Sequence, residues 1–83
     1  MQGDSMEDND YTHYPEYGET RLIRIGHVMS LTGLSRSYIY ALALEKRFPK
    51  SVPLVSGGTS RAWVAAEVQE WINNRIAERD REA

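Results

Sequence analysis

The chain has 83 residues, which leaves room for one domain with little interior for an enclosed substrate pocket. It has no cysteine and two histidines, which removes disulfides, thiol catalysis and cysteine zinc sites together, so no metal or other cofactor is expected; no apolar run approaches the ~18 residues that span a bilayer and no signal peptide opens the chain, so a cytoplasmic protein with no membrane contact is expected. The formal net charge of −2 hides a segregation: residues 1–20 hold six acids and no base, residues 21–63 hold seven bases against the single acid Glu45, and residues 64–83 hold three Arg against five acids.

Residues 1–20 are polar and rich in turn formers, with no apolar periodicity. Such a segment cannot bury enough surface to offset the entropy of ordering, and a disordered acidic tail is expected. Tyr11, Tyr14 and Tyr17 recur every three residues within it, on a segment that binds a partner, folds back on the basic middle or stays solvated. Arg21 to Ile25 is apolar and β-branched at its centre, which suits a short strand. From Gly26, the residues Val28, Met29 and Leu31 predict the apolar face of one or two helical turns, ended at Thr32-Gly33, where glycine supplies a tight turn. Ser35 is a good N-cap. Ile39, Leu42 and Ala43 follow it with offsets of three and four, one stripe on a second helix of about eleven residues. Phe48-Pro49 is expected to stop that helix, because proline disfavours helical geometry in the residue before it.

Val52-Pro53-Leu54-Val55, the pair Gly57-Gly58 and Ala62-Trp63-Val64 predict a two-stranded hairpin with a flexible tip. A last helix is predicted from Ala65 to Arg79, with Val68, Trp71, Ile72 and Ile76 on one face, followed by a short tail over 80–83. The expected fold is mainly α with a small β-hairpin, a winged helix-turn-helix over residues 21–79 behind the acidic tail. In such a fold the second helix enters the major groove of double-stranded DNA with its first residues near base edges.

Turning the second helix about Ile39 places Ser37, Tyr40, Ala41 and Leu44 outward, with Arg36 on the flank near its start. An arginine there suits a forked contact with guanine or phosphate, or simply a solvated surface. In the hairpin, Ser56, Gly57, Gly58, Thr59 and Ser60 are small hydrogen-bonding residues that let backbone approach phosphate, and Arg61 closes the loop; the same residues also suit a plain connection. Lys46, Arg47 and Lys50 follow the second helix, where they suit a phosphate clamp or a solvated face. His13 and His27 are read as surface residues, and Trp63 and Trp71 as core anchors. With no carboxylate pair in an apolar setting, no nucleophile beside a histidine and no phosphate loop, an enzyme is not expected. A protein-interaction module that binds an integrase, polymerase subunit or signalling partner is the alternative, supported by the neutral helix face and the tyrosine-bearing tail.

Arg21-Leu22-Ile23-Arg24, Val28, Thr32-Gly33-Leu34-Ser35-Arg36-Ser37, Ile39-Tyr40, Leu42 and Arg47-Phe48-Pro49-Lys50, then Arg61-Ala62-Trp63, Glu67-Val68, Glu70-Trp71-Ile72 and Arg75-Ile76 together make the chain resemble the AlpA-type prophage regulators, which are related to phage excisionases and MerR-like winged-helix proteins. The resemblance spans residues 21–79. It implies a sequence-specific DNA binder of mobile elements, acting on transcription or as an excision accessory for an integrase. It also implies recognition residues at Ser35, Arg36, Ser37 and Tyr40, with Arg61 on the wing. The chain departs from the family where Ala41 and Leu44 replace commonly basic residues and where Lys46 replaces a glycine that would cap the helix. A monomer this small covers only ~600–1,000 Å² on DNA, so cooperative assembly of several copies is expected.

Overall fold

The computed structural model describes residues 21–82, and the acidic segment 1–20 lies outside the described residues. Strand β1 (Leu22–Ile23) leads into helices α1 (Ile25–Thr32) and α2 (Arg36–Leu44), then strands β2 (Val52–Pro53) and β3 (Arg61–Val64), and finally helix α3 (Ala65–Glu82). The three strands form an antiparallel sheet in the order β1-β3-β2. The predicted hairpin of β2 and β3 is present, and the predicted lead-in strand joins it on the far side of β3. Pro53 sits in the edge strand β2, where its missing N–H is tolerated.

Local chemistry accounts for the α1–α2 turn. Gly33 adopts φ 76° and its N–H donates to the Met29 carbonyl at 2.8 Å, so the chain reverses through a left-handed residue. The Thr32 hydroxyl donates to the Val28 carbonyl at 2.9 Å and accepts from the Leu34 N–H at 3.1 Å. Ser35 then caps α2, its side-chain oxygen accepting from the Tyr38 N–H at 3.2 Å, which satisfies a donor of the first turn and stabilises the helix by about 1 kcal/mol.

The far end of α2 differs from expectation. The helix stops at Leu44, well before Pro49, so the proline is not its terminator. Lys46 takes φ 63°, its N–H donates to the Ala43 carbonyl at 3.0 Å, and the Arg47 N–H donates to the Leu42 carbonyl at 2.8 Å. This pair of bonds is a Schellman motif with lysine at the position glycine usually fills.

The core gathers Ile23, Val28, Ile39, Leu42, Phe48, Trp63 and Val68, with Ile25, Met29, Leu34, Trp71 and Ile72 packed around it. Every element except β2 thus contributes to one cluster. Two indoles tie the irregular segment after α2 to that cluster: Trp63 Nε1 donates to the Pro49 carbonyl at 3.1 Å and Trp71 Nε1 to the Arg47 carbonyl at 2.8 Å. The rings of Phe48 and Trp71 meet edge to face, 4.9 Å apart. Both tryptophans are therefore anchors, as the sequence predicts.

Two predicted core residues are not in the core. Leu31 and Ile76 are each 45% exposed. The inward sector of α1 is Ile25, Val28, Met29 and Thr32, spaced by three and four, and Leu31 falls outside it. Helix α3 continues to Glu82, past the expected end at Arg79, and its second half runs beyond the core with Ile76.

Candidate nucleic-acid interface

Because Ile39 and Leu42 are buried, the rotation of α2 about its axis is fixed. Ser37, Ala41 and Leu44 lie on the opposite side, all exposed, and Leu44 is the most open at 86%. Tyr38 and Tyr40 flank this ridge. Arg36 is the sole charged residue of α2.

Tyr40 has a supporting role that its outward position does not suggest. Its ring lies 5.7 Å from that of Trp63, tilted by 59°, and the Arg36 guanidinium sits 6.0 Å over the Tyr40 ring. Trp63 is fully buried, so the stack Trp63, Tyr40, Arg36 runs from the core to the first turn of α2. Cation–π attraction of this exposed kind contributes roughly 0.5–1 kcal/mol, enough to favour one placement of a long side chain that is otherwise free to wander.

At the other end of α2, the exposed residues Lys46, Arg47 and Lys50 follow one another along the segment that the two indoles hold. The Arg47 guanidinium is 3.4 Å from the Glu45 carboxylate, both side chains largely solvated, and such a pair is worth at most about 1 kcal/mol, so it leaves Arg47 available to another anion. Cations therefore stand at both ends of a ridge that itself carries no charge.

The hairpin tip is exposed throughout, from Leu54 to Ser60. The Gly58 N–H donates to the Val55 carbonyl at 2.9 Å, closing a turn in which Gly57 adopts φ 78°. A Cβ on Gly58 would lie 3.3 Å from Cβ of Val55. The glycine pair thus has a conformational reason, independent of any ligand. Thr59 and Ser60 complete the tip, and the Ser60 carbonyl accepts from the Leu54 N–H at 2.9 Å.

Arg61 opens β3 directly after the hairpin tip, opposite Pro53, and is half-buried. Its Nε donates to the Ser51 hydroxyl at 2.8 Å and its terminal nitrogen to the Ser51 carbonyl at 3.4 Å, which ties the two strands together. The exposed Arg24, which the sequence reading leaves out of its site, donates to the Arg61 carbonyl at 3.0 Å. The sequence reading also misses a groove between the end of α2 and α3, walled by Leu34, Tyr38, Phe48 and Trp71 and rimmed by Lys46, Lys50, Glu67 and Glu70. The signal for it is the partly apolar Trp71 face of α3, which reads from sequence alone as core.

The family described as prophage CP4-57 regulatory protein (AlpA) matches the chain over residues 21–76, from β1 into α3. The chain is also 45% identical over 67 residues to uncharacterized protein ORF88 of Enterobacteria phage P4, an alignment covering 81% of this chain and 74% of that protein. No solved structure matches the chain.

Proposed function

The chain belongs to the AlpA family of prophage regulatory proteins, and from that membership we propose that it is a sequence-specific binder of double-stranded DNA that regulates transcription in a prophage or mobile element. In this reading α1 and α2 form a helix-turn-helix, α2 enters the major groove, and the β2–β3 hairpin acts as a wing. Ser35, Arg36, Ser37 and Tyr40 meet base edges and nearby phosphates. Arg47 and Lys50 beyond the helix, with Gly57, Gly58, Thr59, Ser60 and Arg61 of the hairpin, take further phosphates.

The observation that carries the reading is the exposed face of α2, with Arg36 lying over the Tyr40 ring at one end and Lys46, Arg47 and Lys50 at the other. A binding protein rather than an enzyme is what a regulatory family suggests. No described helix is long and apolar enough to cross a membrane. An excision accessory that assembles cooperatively beside an integrase is a narrower form of the same activity.

A second reading, a protein-interaction module, is favoured by the groove between α2 and α3, where apolar walls carry charges of both signs on the rim. Titration of the labelled full chain with 20-base-pair duplexes at two salt concentrations separates the two. DNA binding predicts shifts at Ser35 to Tyr40 and at Gly57 to Arg61, affinity that falls steeply with salt, and roughly tenfold weaker binding for a folded Arg36→Ala variant. Absence of shifts on any duplex at low salt overturns the DNA reading in favour of the groove.

A further inference from the structure

The outward ridge of α2 has a chemistry that narrows the DNA it suits, an inference that rests on the DNA-binding reading. Ser37, Ala41 and Leu44 follow at offsets of four and three, so they share one face, and all are exposed. The ridge runs about 10 Å along the helix axis, the length of roughly three base-pair steps. After Arg36 no residue of α2 is Asn, Gln, Lys, Arg, Asp or Glu. The side chains that make forked hydrogen bonds to guanine or adenine are thus missing from the last two turns, and Ala41 and Leu44 offer only hydrocarbon.

Among the groups that base pairs show in the major groove, the thymine 5-methyl is the apolar one. We infer that Ala41 and Leu44 are specificity-determining residues that read thymine methyl groups, so that the recognised DNA carries A·T pairs beneath the C-terminal half of α2. The occupant of this apolar face is a nucleic acid rather than an apolar protein surface because of the charge around it. Arg36 stands at its start and Lys46, Arg47 and Lys50 just past its end, four cations against Glu45, which is already beside Arg47, and Glu67 and Glu70, which lie on the α3 side of the groove away from the ridge. An apolar protein surface would have to desolvate those cations, whereas a phosphate backbone neutralises them.

The test selects a preferred duplex from a random 20-base-pair library with the full chain, then resynthesises it with deoxyuridine in place of each thymidine in turn. Uracil keeps every hydrogen-bonding group of thymine and lacks the methyl. The expected result is about fourfold weaker binding at each thymidine that faces the ridge, the factor that burial of one such carbon carries. In the Leu44→Ala variant, whose shorter side chain withdraws hydrocarbon from the groove, the thymidine-to-deoxyuridine ratio should fall at a single position and be unchanged at the position facing Ala41. Leu44 makes no core contact, so the variant should fold as the parent does. A selected duplex that binds equally well with uracil throughout overturns the inference while leaving DNA binding intact. Failure to enrich any duplex at low salt overturns both, and a protein ligand that competes for Leu44 would then take its place.

Discussion

Helices α2 and α3 each lie on the core through one apolar stripe, and their outward faces are built in opposite ways. On α2, Leu44 and the two tyrosines are open to solvent and the single charge, Arg36, is at the first position. On the outer half of α3, charges alternate in sign and answer one another: Arg75 meets Glu78 at 2.6 Å, Arg79 meets Asp80 at 2.8 Å, and Arg81 lies 3.7 Å from Glu78. Pairs of this exposed kind contribute little stability, yet they keep a helix solvated and leave no field of one sign around it. Among the described residues the four cations that bracket α2 are set against three acids, Glu45 beside Arg47 and Glu67 and Glu70 on the groove shared with Lys46 and Lys50, so the positive charge around the ridge is reduced but not cancelled. A chain whose net charge is −2 can therefore present a cationic surface to a polyanion, because a ligand meets the nearest charges and salt screens the rest.

The largest effect that separates the two sides of α2 is on stability. Ile39 is fully buried, and Ile39→Ala should destabilise the domain by about 2–5 kcal/mol, through lost transfer energy and the cavity left behind. Leu44→Ala removes as large a side chain from a surface position and should change stability by no more than about 0.5 kcal/mol. Urea denaturation of the two variants reads both numbers. Comparable losses in the two would mean that Leu44 is covered by something in the folded chain and that α2 has no free outward face.

An intermediate effect concerns the end of α2, where Lys46 occupies a left-handed conformation that costs a non-glycine residue about 1 kcal/mol. Lys46→Gly relieves that strain and keeps both bonds of the Schellman motif, so the melting temperature should rise. The same change removes a cation from the proposed phosphate clamp and should lower the slope of log affinity against log salt by ~0.9. Stability and binding then move in opposite directions. A variant that gains stability with an unchanged salt slope would place Lys46 outside the DNA contact and restrict the clamp to Arg47 and Lys50.

Lys46 also marks where the sequence stops being legible. Gly33, Ser35 and the stripe of Ile39 and Leu42 follow local rules, and the structure has the turn, cap and buried face that those rules require. A lysine carries no signal for a left-handed cap. The bonds that help hold the following segment come from Trp63 and Trp71, far away in the chain, so a local reading moves the stop to Pro49. Leu31 is misread for a smaller reason: starting α1 at Gly26 omits Ile25, and without it the inward sector is centred one residue too far along. For Ile76 the face is right, but periodicity does not say how far the core extends beneath it. The orientation of Arg61 toward Ser51 depends on how β2 and β3 are paired, with Pro53 opposite Arg61, and composition does not specify that register. The charged and tyrosine residues of α2 were legible as a group, whereas the stacking of Arg36 on Tyr40 needed the position of Trp63.

The smallest expected effect gives the sharpest separation between local and total charge. Asp80 lies nine residues beyond Trp71 on α3, about 13 Å along the axis, which exceeds the ~8 Å screening length at physiological salt. Its surface pair with Arg79 is worth at most a few tenths of a kcal/mol, so Asp80→Asn should leave the melting temperature almost unchanged. The substitution raises the net charge by one, and Lys50→Gln lowers it by one. If the surface around α2 is the interface, Lys50→Gln reduces the salt slope by ~0.9 while Asp80→Asn leaves it unaltered and affinity within about twofold. Fluorescence anisotropy with one duplex at several salt concentrations makes the comparison. Equal and opposite changes would mean that binding follows the charge of the whole chain, and the contrast between α2 and α3 would then lose its functional meaning.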